Sequence, residues 1–380
     1  MNFLSAEQLM WRDSVERYVD KEIGREYIRK CDMDRRHPDE AIQKIAKMGW
    51  LKLLFPEDVG GDGMSILDYA VMIEMLSKHG VDFGIAVTLP SFTAMNIAAH
   101  GTPEQKQQYL PAFFAGEIRF AVSISEPGAG SDAANTQTRA RLEGDHYKIN
   151  GQKLWCSGAG VKNTVILMLV RTDDADKRKG LSVLMMPNTT PGLTIRPLNT
   201  LARRSITTTE IFLDNVSVPA SQMLGKPGDG WKIIGGEHLL LERICAAAGY
   251  AGAAQGAVTD ALNYAQQREQ FGKPIFEFQV IRHMLADMQT QVDAARLLVY
   301  RAADMAAKQM HCAKEVAMAK LFASETLQTV SRQGIQIMGG YGTLPEADME
   351  RHFREGMQAT IGGGTSQIQR TMIAQEMRNR

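Results

Sequence analysis

The segment Phe120–Asp132 combines residue types suited to holding a negatively charged group. Its first half, Phe120–Ser125, alternates large and small side chains as a β-strand does, whereas Pro127 and the two glycines after it cannot continue a strand. Glycines let backbone amides approach a ligand closely, and Ser131 adds a hydroxyl donor beside them. This spacing predicts a seat for a diphosphate or a similar anion, and an ordinary glycine-rich turn is the alternative interpretation.

The residues that precede this segment have helical patterns. Ser5 with Gln8, and Thr102 with Gln105, have the spacing of a capping box, in which a side chain at the start of a helix pairs with one three residues later. We therefore expect residues 1–118 to form an N-terminal α-helical domain.

Residues 119–228 change to short runs rich in Val, Ile, Thr and Leu that are separated by turn residues. Five or six strands of this kind are typical of a small β-barrel or sandwich. Besides the strand that opens at Phe120, the candidates are Thr136–Leu142, His146–Asn150, Asn163–Arg171, Gly180–Met186 and Thr207–Leu213.

The helical period returns over residues 229–380, which we expect to form a C-terminal α-helical domain. Between Ala246 and Ala257 nearly every residue is Ala or Gly, a composition that lets helices approach closely. An apolar stripe recurs at intervals of three and four residues, at Ile281, Met284, Leu285, Met288, Val292, Ala295 and Val299.

The composition is that of a folded protein that could bury a large cofactor. Apolar residues make up 44% and charged residues 23% of the 380, which argues against extensive disorder. The 43 basic and 43 acidic residues give a net charge of zero, so no global field attracts nucleic acid or an anionic membrane. The apolar run Thr164–Val170 is too short to span a membrane.

The cysteines and the N-terminus predict a cytoplasmic location. The four cysteines have neither a CxxC pair nor the spacing of metal ligands, as in a reduced protein without a metal site. Glu7, Asp13, Glu16 and Asp20 give the N-terminus an acidic character that a signal peptide lacks.

Several separated motifs resemble those of the acyl-CoA dehydrogenase family of flavoproteins, from the first helix to Arg380. The resemblance implies that fold: an N-terminal helical domain, a middle β-barrel or sandwich domain and a C-terminal four-helix bundle. In order along the chain, the motifs are Phe120–Asp132, Asn150–Trp155, Arg268–Pro274, Gln336–Gly342 and Gly364–Arg370.

The resemblance also implies FAD, held noncovalently between the β domain and the C-terminal helices. Trp155 would pack on the flavin, and Ser131 would reach the diphosphate; without the resemblance, Trp155 reads as an ordinary aromatic of the core. The cofactor-binding positions from the β domain are Val122, Ser125, Gly130, Ser131, Trp155 and Ser157. Those from the C-terminal domain are Arg268, Phe271, Gln279, Gln336, Gly340, Thr365 and Gln367.

In the family, a neighbouring subunit contacts the adenosine end of FAD, so the resemblance implies a homotetramer arranged as a dimer of dimers. Arg268 would offer a charged fork to the diphosphate, although a surface pair with Glu269 is the alternative. For the acyl-CoA substrate, the matching positions are Ser131, Arg243 and Gly363; Arg243 could equally be a structural arginine.

Oxidation of an acyl thioester between its α and β carbons needs a carboxylate at the α-proton, while a hydride leaves for N5 of the flavin. Many family members have a glutamate directly before the C-terminal Gly-Thr, where this chain has Gly363. A subgroup similar to isovaleryl-CoA and long-chain acyl-CoA dehydrogenases, and to crotonobetainyl-CoA reductase, has it on an earlier helix directly before an arginine. Glu242, followed by Arg243, matches that pattern and is the predicted base; a surface glutamate is the alternative.

The predicted function is α,β-dehydrogenation of an acyl-CoA, with electrons passed to an electron-transfer flavoprotein. Two alternatives within the family are an enoyl-CoA reductase that works in reverse and a flavin monooxygenase or oxidase. A binding protein without enzymatic activity would be expected to carry an added basic domain, which the sequence lacks. Three other carboxylates, Glu126, Asp132 and Glu355, are expected to cap turns or to pair with neighbouring bases.

Overall fold

The computed structural model describes residues 3–378, which form two compact units. The first contains the chain up to Asp34, residues 65–85 and the chain from Arg243 onwards, and the second contains residues 35–64 and 86–242. The α-helices of the described residues are α1 (Ala6–Tyr18), α2 (Arg25–Met33), α3 (Asp39–Lys47), α4 (Ile66–Leu76), α5 (Val81–His100), α6 (Pro103–Phe114), α7 (Gly230–Ile233), α8 (Leu239–Gln267), α9 (Gln279–Ala307), α10 (Ala313–Met338), α11 (Met349–Ala359) and α12 (Ser366–Arg378).

Both predicted capping boxes are present. The Ser5 hydroxyl accepts from the Gln8 amide and the Gln8 side chain accepts from the Ser5 amide, so α1 begins where the sequence predicts; a π-helical turn extends it to Ile23. Thr102 and Gln105 make the same pair of hydrogen bonds at the start of α6. Each box satisfies two amides that the first turn of a helix leaves without partners.

Small residues bring α8 into close contact with α4 in the first unit. A Cβ added at Gly252 would lie 2.0 Å from the Glu74 carbonyl oxygen, and one added at Gly256 would lie 2.0 Å from that of Lys78. The Ala and Gly composition predicted this close approach. The apolar stripe of α9 is buried from Leu285 to Val299, while Ile281 and Met284 are partly exposed.

A cluster of arginines surrounds one buried carboxylate in the same unit. Asp348 accepts hydrogen bonds from Arg25 and, at 2.8 Å, from both Nε and Nη2 of Arg29, and it lies 3.0 Å from Arg351 Nη1. Burial by itself would raise the pKa of Asp348, but the Arg29 hydrogen bonds and the charges of Arg351 and Arg25 hold it well below its ordinary value. The arginines therefore keep this buried carboxylate ionised.

The second unit is built on an eight-stranded sheet with the order β6-β7-β3-β2-β4-β5-β8, in which β1 pairs in parallel with β4. One face carries a core that includes Ile149, Ile166 and Leu184. The strands of this sheet are β1 (Arg119–Ser123), β2 (Arg139–Glu143), β3 (His146–Ser157), β4 (Thr164–Arg171), β5 (Leu181–Pro187), β6 (Leu193–Pro197), β7 (Thr208–Pro219) and β8 (Met223–Leu224); β9 (Glu269–Gln270) and β10 (Lys273–Pro274) form a separate hairpin.

Several strand boundaries differ from the prediction. Strand β3 continues to Ser157 instead of ending at Asn150, because it pairs with the long β7 through two register shifts. Strand β2 begins at Arg139 and not at Thr136, because the amides just before it donate to a side chain, Glu126. Strands β6 and β8 were not predicted; β6 is only partly buried and β8 has two residues, so neither gives a clear alternating pattern.

Helix α5 is long and apolar enough to cross a membrane by length and composition alone. However, 78% of its most apolar window is buried inside the protein, which is the pattern of a core helix. The prediction had considered only the shorter run in β4.

Candidate active site

A buried ion pair supports the turn that follows β1. Lys153 Nζ lies 2.9 Å from Glu126 Oε1 and 3.0 Å from the Ile124 carbonyl oxygen. Glu126 also accepts from the amides of Gln137 at 2.7 Å and Thr138 at 2.9 Å. Glu126 therefore fixes the turn to β3 and to the residues before β2, and it pairs with a base as predicted.

The two partners of this pair respond to burial in opposite ways. Burial lowers the pKa of Lys153, and the charge of Glu126 compensates only partly. Burial would raise the pKa of Glu126, but the charge of Lys153 and the bonds from Thr138 and Gln137 lower it below its ordinary value. Both side chains are almost fully buried, and the geometry favours the charged pair, because a lysine and two amides all face the carboxylate.

Trp155 stands at a β-bulge directly above this support. Between Lys153 and Cys156 strand β3 has one residue more than its partner β7, and Trp155 has a left-handed φ of 65°. The bulge turns the indole outward, so that 59% of it is exposed. The amide of Leu154 donates to the Ser125 carbonyl oxygen at 2.9 Å, which ties the bulge to the glycine-rich turn.

The other predicted cofactor positions of the second unit surround the same turn and bulge. Val122 lies in β1 next to the turn and is half-buried, and the Ser157 hydroxyl lies 3.4 Å from that of Thr208. Gly130 and Ser131 are exposed, and a Cβ added at Gly130 would meet nothing within 4 Å. The turn thus leaves open space beside its amides, as close approach of a ligand requires.

Cys156, which follows the bulge, has no cysteine partner and is buried. Its thiol is buried 2.8 Å from the Ser123 hydroxyl, and burial raises the pKa of Cys156 to about 11. The protonated thiol packs in the core, and all four cysteines are buried and free.

In the first unit, the loop between α11 and α12 is held by three side chains that hydrogen-bond its carbonyl groups. Arg243 Nε donates to the Gly363 carbonyl oxygen at 3.0 Å, and Lys320 Nζ donates to that of Gly364 at 2.8 Å. Gln369 Nε2 donates to both carbonyls, at 3.2 and 3.1 Å. Gly363 and Gly364 have φ values of 65° and 95°, so the loop takes a path that favours glycine.

The Gly363 carbonyl is therefore occupied by hydrogen bonds from side chains, whereas the Gly363 amide is available to a ligand. Within residues 3–378 the Gly363 amide donates no hydrogen bond. Arg243 thus holds the peptide that follows Gly363, while the N–H predicted to polarise the thioester belongs to the peptide before it; a direct contact of Arg243 with substrate stays a prediction. Lys320 and Gln369 were not predicted to hold this loop, because no local pattern links either residue to its carbonyl partners.

Thr365 and Gln367 meet at the N-terminus of α12. The Thr365 hydroxyl accepts from the Ile368 amide at 3.2 Å, and both residues line a cavity of about 320 Å³. The buried Ser366 hydroxyl beside them has no partner among the described residues. A helix N-terminus with an orphaned hydroxyl suits a phosphate oxygen.

The remaining predicted cofactor positions are exposed on the first unit. Arg268 precedes the β9-β10 hairpin, whose turn residues Phe271 and Gly272 have φ values of 53° and 79°. The Phe271 side chain is 93% exposed. Gln279 at the start of α9, and Gln336 and Gly340 at the end of α10, are also exposed.

Glu242, the predicted base, lies in the first turn of α8 with 23% of its side chain exposed. Its Oε2 is 3.5 Å from Nε2 of His238, whose imidazole is fully buried. Nδ1 of His238 lies 2.8 Å from Asn96 Nδ2. The prediction did not include His238 or Asn96, although the four-residue spacing of His238 and Glu242 already places them on one helix face.

The other carboxylates have structural partners, as expected. Asp132 accepts from the exposed Lys177 at 2.8 Å. The buried Glu355 accepts from the amides of Val81 at 2.8 Å and Asp82 at 3.3 Å, and so caps the start of α5. Burial, followed by the nearby Asp82, raises the pKa of Glu355.

These groups fit FAD. In the second unit, the open turn at Gly130 suits a diphosphate and the outward indole of Trp155 suits an aromatic ring system. In the first unit, taken by itself, the orphaned hydroxyl at the α12 N-terminus suits a phosphate oxygen.

Comparison with known proteins identifies the family. The models described as acyl-CoA dehydrogenase N-terminal, middle and C-terminal domains match residues 5–117, 121–216 and 228–378. The chain is 39% identical to probable acyl-CoA dehydrogenase YngJ of Bacillus subtilis, over 99% of this chain and 100% of that one. It is 35% identical to the 3-(aryl)acrylate reductase of Clostridium sporogenes, over 92% of each.

A solved structure with a similar fold also supports membership of this family. Butyryl-CoA dehydrogenase from Megasphaera elsdenii is 30% identical, and the match covers 99% of both chains with a TM-score of 0.92. Its fold has the predicted N-terminal helical, middle β and C-terminal helical domains. The chain belongs to the acyl-CoA dehydrogenase family of FAD-dependent oxidoreductases.

Proposed function

We propose that this protein desaturates an acyl-CoA thioester between its α and β carbons, with Glu242 as the base that removes the α-proton. The observation that carries the proposal is the setting of Glu242: a partly exposed carboxylate in the first turn of α8, 3.5 Å from a buried imidazole. A general base needs a carboxylate that reaches substrate while its own position is fixed. Gly363, where many relatives have the base, has no side chain to serve.

The Gly363 amide is the proposed donor to the thioester carbonyl. Removal of the α-proton places negative charge on that oxygen, and a preorganised N–H aimed at it lowers the barrier. Arg243 and Gln369 hold the Gly363 carbonyl, which anchors the loop on the C-terminal side of this N–H before substrate arrives. When bound, FAD supplies the acceptor for the hydride that leaves the β-carbon.

The proposed cofactor contacts follow from the two sets of groups described above. In the second unit, Trp155 would pack on the flavin, while Ser125, Val122, Ser157 and the turn at Gly130 and Ser131 would meet its polar edge and diphosphate. In the first unit, Thr365 and Gln367 would hold phosphate oxygens. Ser131 would also contact substrate.

We also propose a homotetramer, with the adenosine end of FAD contacted by a neighbouring subunit. Its support is the exposure of Phe271, whose ring is 93% accessible although aromatic side chains usually gain free energy from burial. Arg268, Gln279, Gln336 and Gly340 are exposed as well and complete the proposed surface. An electron-transfer flavoprotein is the proposed electron acceptor, on the basis of the family resemblance.

A second candidate is reduction of an enoyl thioester or a related acrylate, supported by the similarity to the Clostridium sporogenes reductase. The same residues serve both directions, because Glu242 in its protonated form would return a proton to the α-carbon. Whichever direction the reaction takes, we propose that this chain belongs to the subgroup whose catalytic glutamate stands directly before an arginine.

Anaerobic mixing of the FAD-loaded protein with a panel of acyl-CoAs tests the proposal. The panel should include short, branched, long, polar and aryl-substituted chains, since pocket shape decides among them and one methylene changes discrimination by only about 1–3 kcal/mol. We expect at least one class to bleach the flavin, with slow reoxidation by oxygen. Reduction by dithionite without bleaching by any acyl-CoA would refute dehydrogenation, and rapid reoxidation by oxygen would favour an oxidase.

The reverse reaction can be followed in the same protein. Dithionite-reduced protein is mixed with the corresponding enoyl-CoAs and with free aryl acrylates, and recovery of the flavin absorbance is recorded. Faster oxidation by an enoyl substrate than reduction by its saturated partner would favour the reductase.

A further inference from the structure

His238 is a buried residue with an unusual setting for a histidine. Only 3% of the residue is exposed, and it lies at the end of a π-helical turn (Ile234–His238) that leads into α8. Within that turn Gly236 has a non-helical ψ of −121°, which kinks the chain just before the helix that carries Glu242.

The contacts at Nδ1 identify which ring nitrogen carries the proton. Asn96 Nδ2 lies 2.8 Å from His238 Nδ1, and the same amide nitrogen donates to the carbonyl oxygens of Phe92 at 3.0 Å and Thr93 at 3.4 Å. These two carbonyls hold the Asn96 amide in its orientation, because a flipped amide would place oxygen against oxygen. Nδ1 therefore accepts a hydrogen bond from Asn96.

A proton on Nδ1 would oppose this arrangement. The Nδ1–H of His238 and the N–H of Asn96 would then point at each other over 2.8 Å. The only gain would be a longer hydrogen bond, 3.3 Å, from Nδ1 to the Phe92 carbonyl oxygen. A neutral ring then has its proton on Nε2. Burial lowers the pKa of His238, with partial compensation by Glu242 and by Phe92, which supports the neutral ring.

The Nε2 proton faces the carboxylate of Glu242. Nε2 lies 3.5 Å from Glu242 Oε2 and has no hydrogen-bond partner among residues 3–378. A separation of 3.5 Å is longer than a formed hydrogen bond, and bonds of this kind often tighten only when substrate is bound. A small rotation of the Glu242 side chain would close the contact.

We propose that His238 is a positioning residue for the base: its neutral Nε2–H, fixed by Asn96, holds Oε2 of Glu242 and so presents Oε1 to the α-proton. The inference rests on the proposed function of Glu242 and adds what fixes the carboxylate. His238 contacts neither substrate nor cofactor in this scheme, and it acts only through Glu242.

The tautomer can be tested without substrate. Long-range proton–nitrogen NMR of protein labelled with ¹⁵N-histidine distinguishes the two ring nitrogens, and His238→Gln identifies the signal among the eight histidines. We expect a protonated, pyrrole-type Nε2 and an unprotonated Nδ1. A protonated Nδ1, or a ring protonated at both nitrogens at neutral pH, would overturn the proposal whatever the enzyme's reaction is.

Three variants test the role in turnover. His238→Leu removes the donor at similar volume, His238→Gln places an amide N–H near the position of Nε2, and His238→Asn reaches only as far as Nδ1. We expect His238→Leu and His238→Asn to lower kcat about 10- to 100-fold, as misplaced catalytic groups do. KM should change less than about twofold, and the deuterium isotope effect at the α-carbon should rise, because proton removal becomes slower.

His238→Gln should recover most of kcat. Equal activities of the Gln, Asn and Leu variants would overturn the proposal, and the Gln and Asn pair remains decisive if His238→Leu fails to fold. His311→Leu is the matched control, because its exposed imidazole contacts Glu376 at 2.6 Å and its loss should leave kcat unchanged.

The outcomes also separate this inference from the proposed function. Normal His238→Leu activity with inactive Glu242→Gln would refute only the positioning role. Normal activity of Glu242→Gln would refute both, since there would be no base for His238 to position.

Discussion

Replacing Lys153 with methionine should destabilise the second unit strongly, because it leaves Glu126 buried without its counter-charge. Lys153 has a fully buried side chain, and that of Glu126 is 6% exposed. Methionine has a similar length and fills the same volume, so the change removes a charge and two hydrogen bonds without opening a large cavity. The perturbation is thus mainly electrostatic.

The distance between the charges of Lys153 and Glu126 gives the expected size of the loss in stability. Unit charges 2.9 Å apart attract by about 6 kcal/mol at an effective dielectric constant of about 20. Desolvation offsets part of this, and loss of one partner of a buried pair costs about 3–5 kcal/mol. For a unit of this size we expect the melting temperature to fall by about 6–20 °C.

The loss of stability in Lys153→Met should also depend on pH, in a direction set by the titration of Glu126. Its folded pKa is lowered, so in the wild type it contributes stability that is present above its unfolded pKa and is lost as pH falls through the folded value. In Lys153→Met the unpaired carboxylate is a penalty that protonation relieves. The difference between wild type and variant should therefore be largest at neutral pH and shrink in acid.

The assay is thermal and urea unfolding of the FAD-free protein at neutral and acidic pH. Lys177→Met is the matched control, since Lys177 pairs with Asp132 of the same turn at 2.8 Å but both side chains are exposed. An exposed pair contributes about 0–1 kcal/mol. Losses that agree within about 1 kcal/mol for the two variants would show that the buried pair does not support the turn.

Three other predictions can be checked with the same unfolding measurements. Gly252→Ala should lower the free energy of unfolding by about 1–3 kcal/mol, because the added Cβ would lie 2.0 Å from the Glu74 carbonyl oxygen. The control Gly128→Ala, whose Cβ would meet nothing within 4 Å, should lower it by less than about 0.5 kcal/mol. Asp348→Asn should lower the free energy of unfolding by about 3–5 kcal/mol at neutral pH, because it removes the negative charge that three arginines share. Since the folded pKa of Asp348 is lowered, the loss should fade as pH falls, and a pH-independent loss would contradict this. Trp155→Ala should change stability by less than about 0.5 kcal/mol, because the indole is 59% exposed, while FAD affinity falls at least about tenfold by equilibrium titration; unchanged affinity would refute its contact with the flavin.

The sequence was sufficient to predict elements that depend on near neighbours in the chain. The capping boxes of α1 and α6 follow from local spacing, the close approach of α8 follows from its Ala and Gly composition, and both are confirmed. The structural roles of Glu126, Asp132 and Glu355 are also confirmed, although the sequence did not identify their distant partners. The order of helical, β and helical regions came from hydrophobic periodicity, and the family motifs agreed with it.

Features that depend on distant partners were not predictable. The bulge at Trp155 is set by the register of β3 against β7, more than fifty residues later in the chain. The tautomer of His238 depends on Asn96, 142 positions earlier, and nothing in a single sequence pairs them. The burial of Lys153 was also not predictable, because a lysine in a strand is usually exposed to solvent.

The most direct test of the central claim is a rapid anaerobic measurement of flavin reduction by Glu242→Gln, with the acyl-CoA that bleaches the wild-type protein. The variant should bind FAD normally and retain the substrate, while the rate of bleaching falls by at least about 10³-fold, since an amide cannot take the α-proton. Bleaching at a rate close to that of the wild type would show that another group is the base.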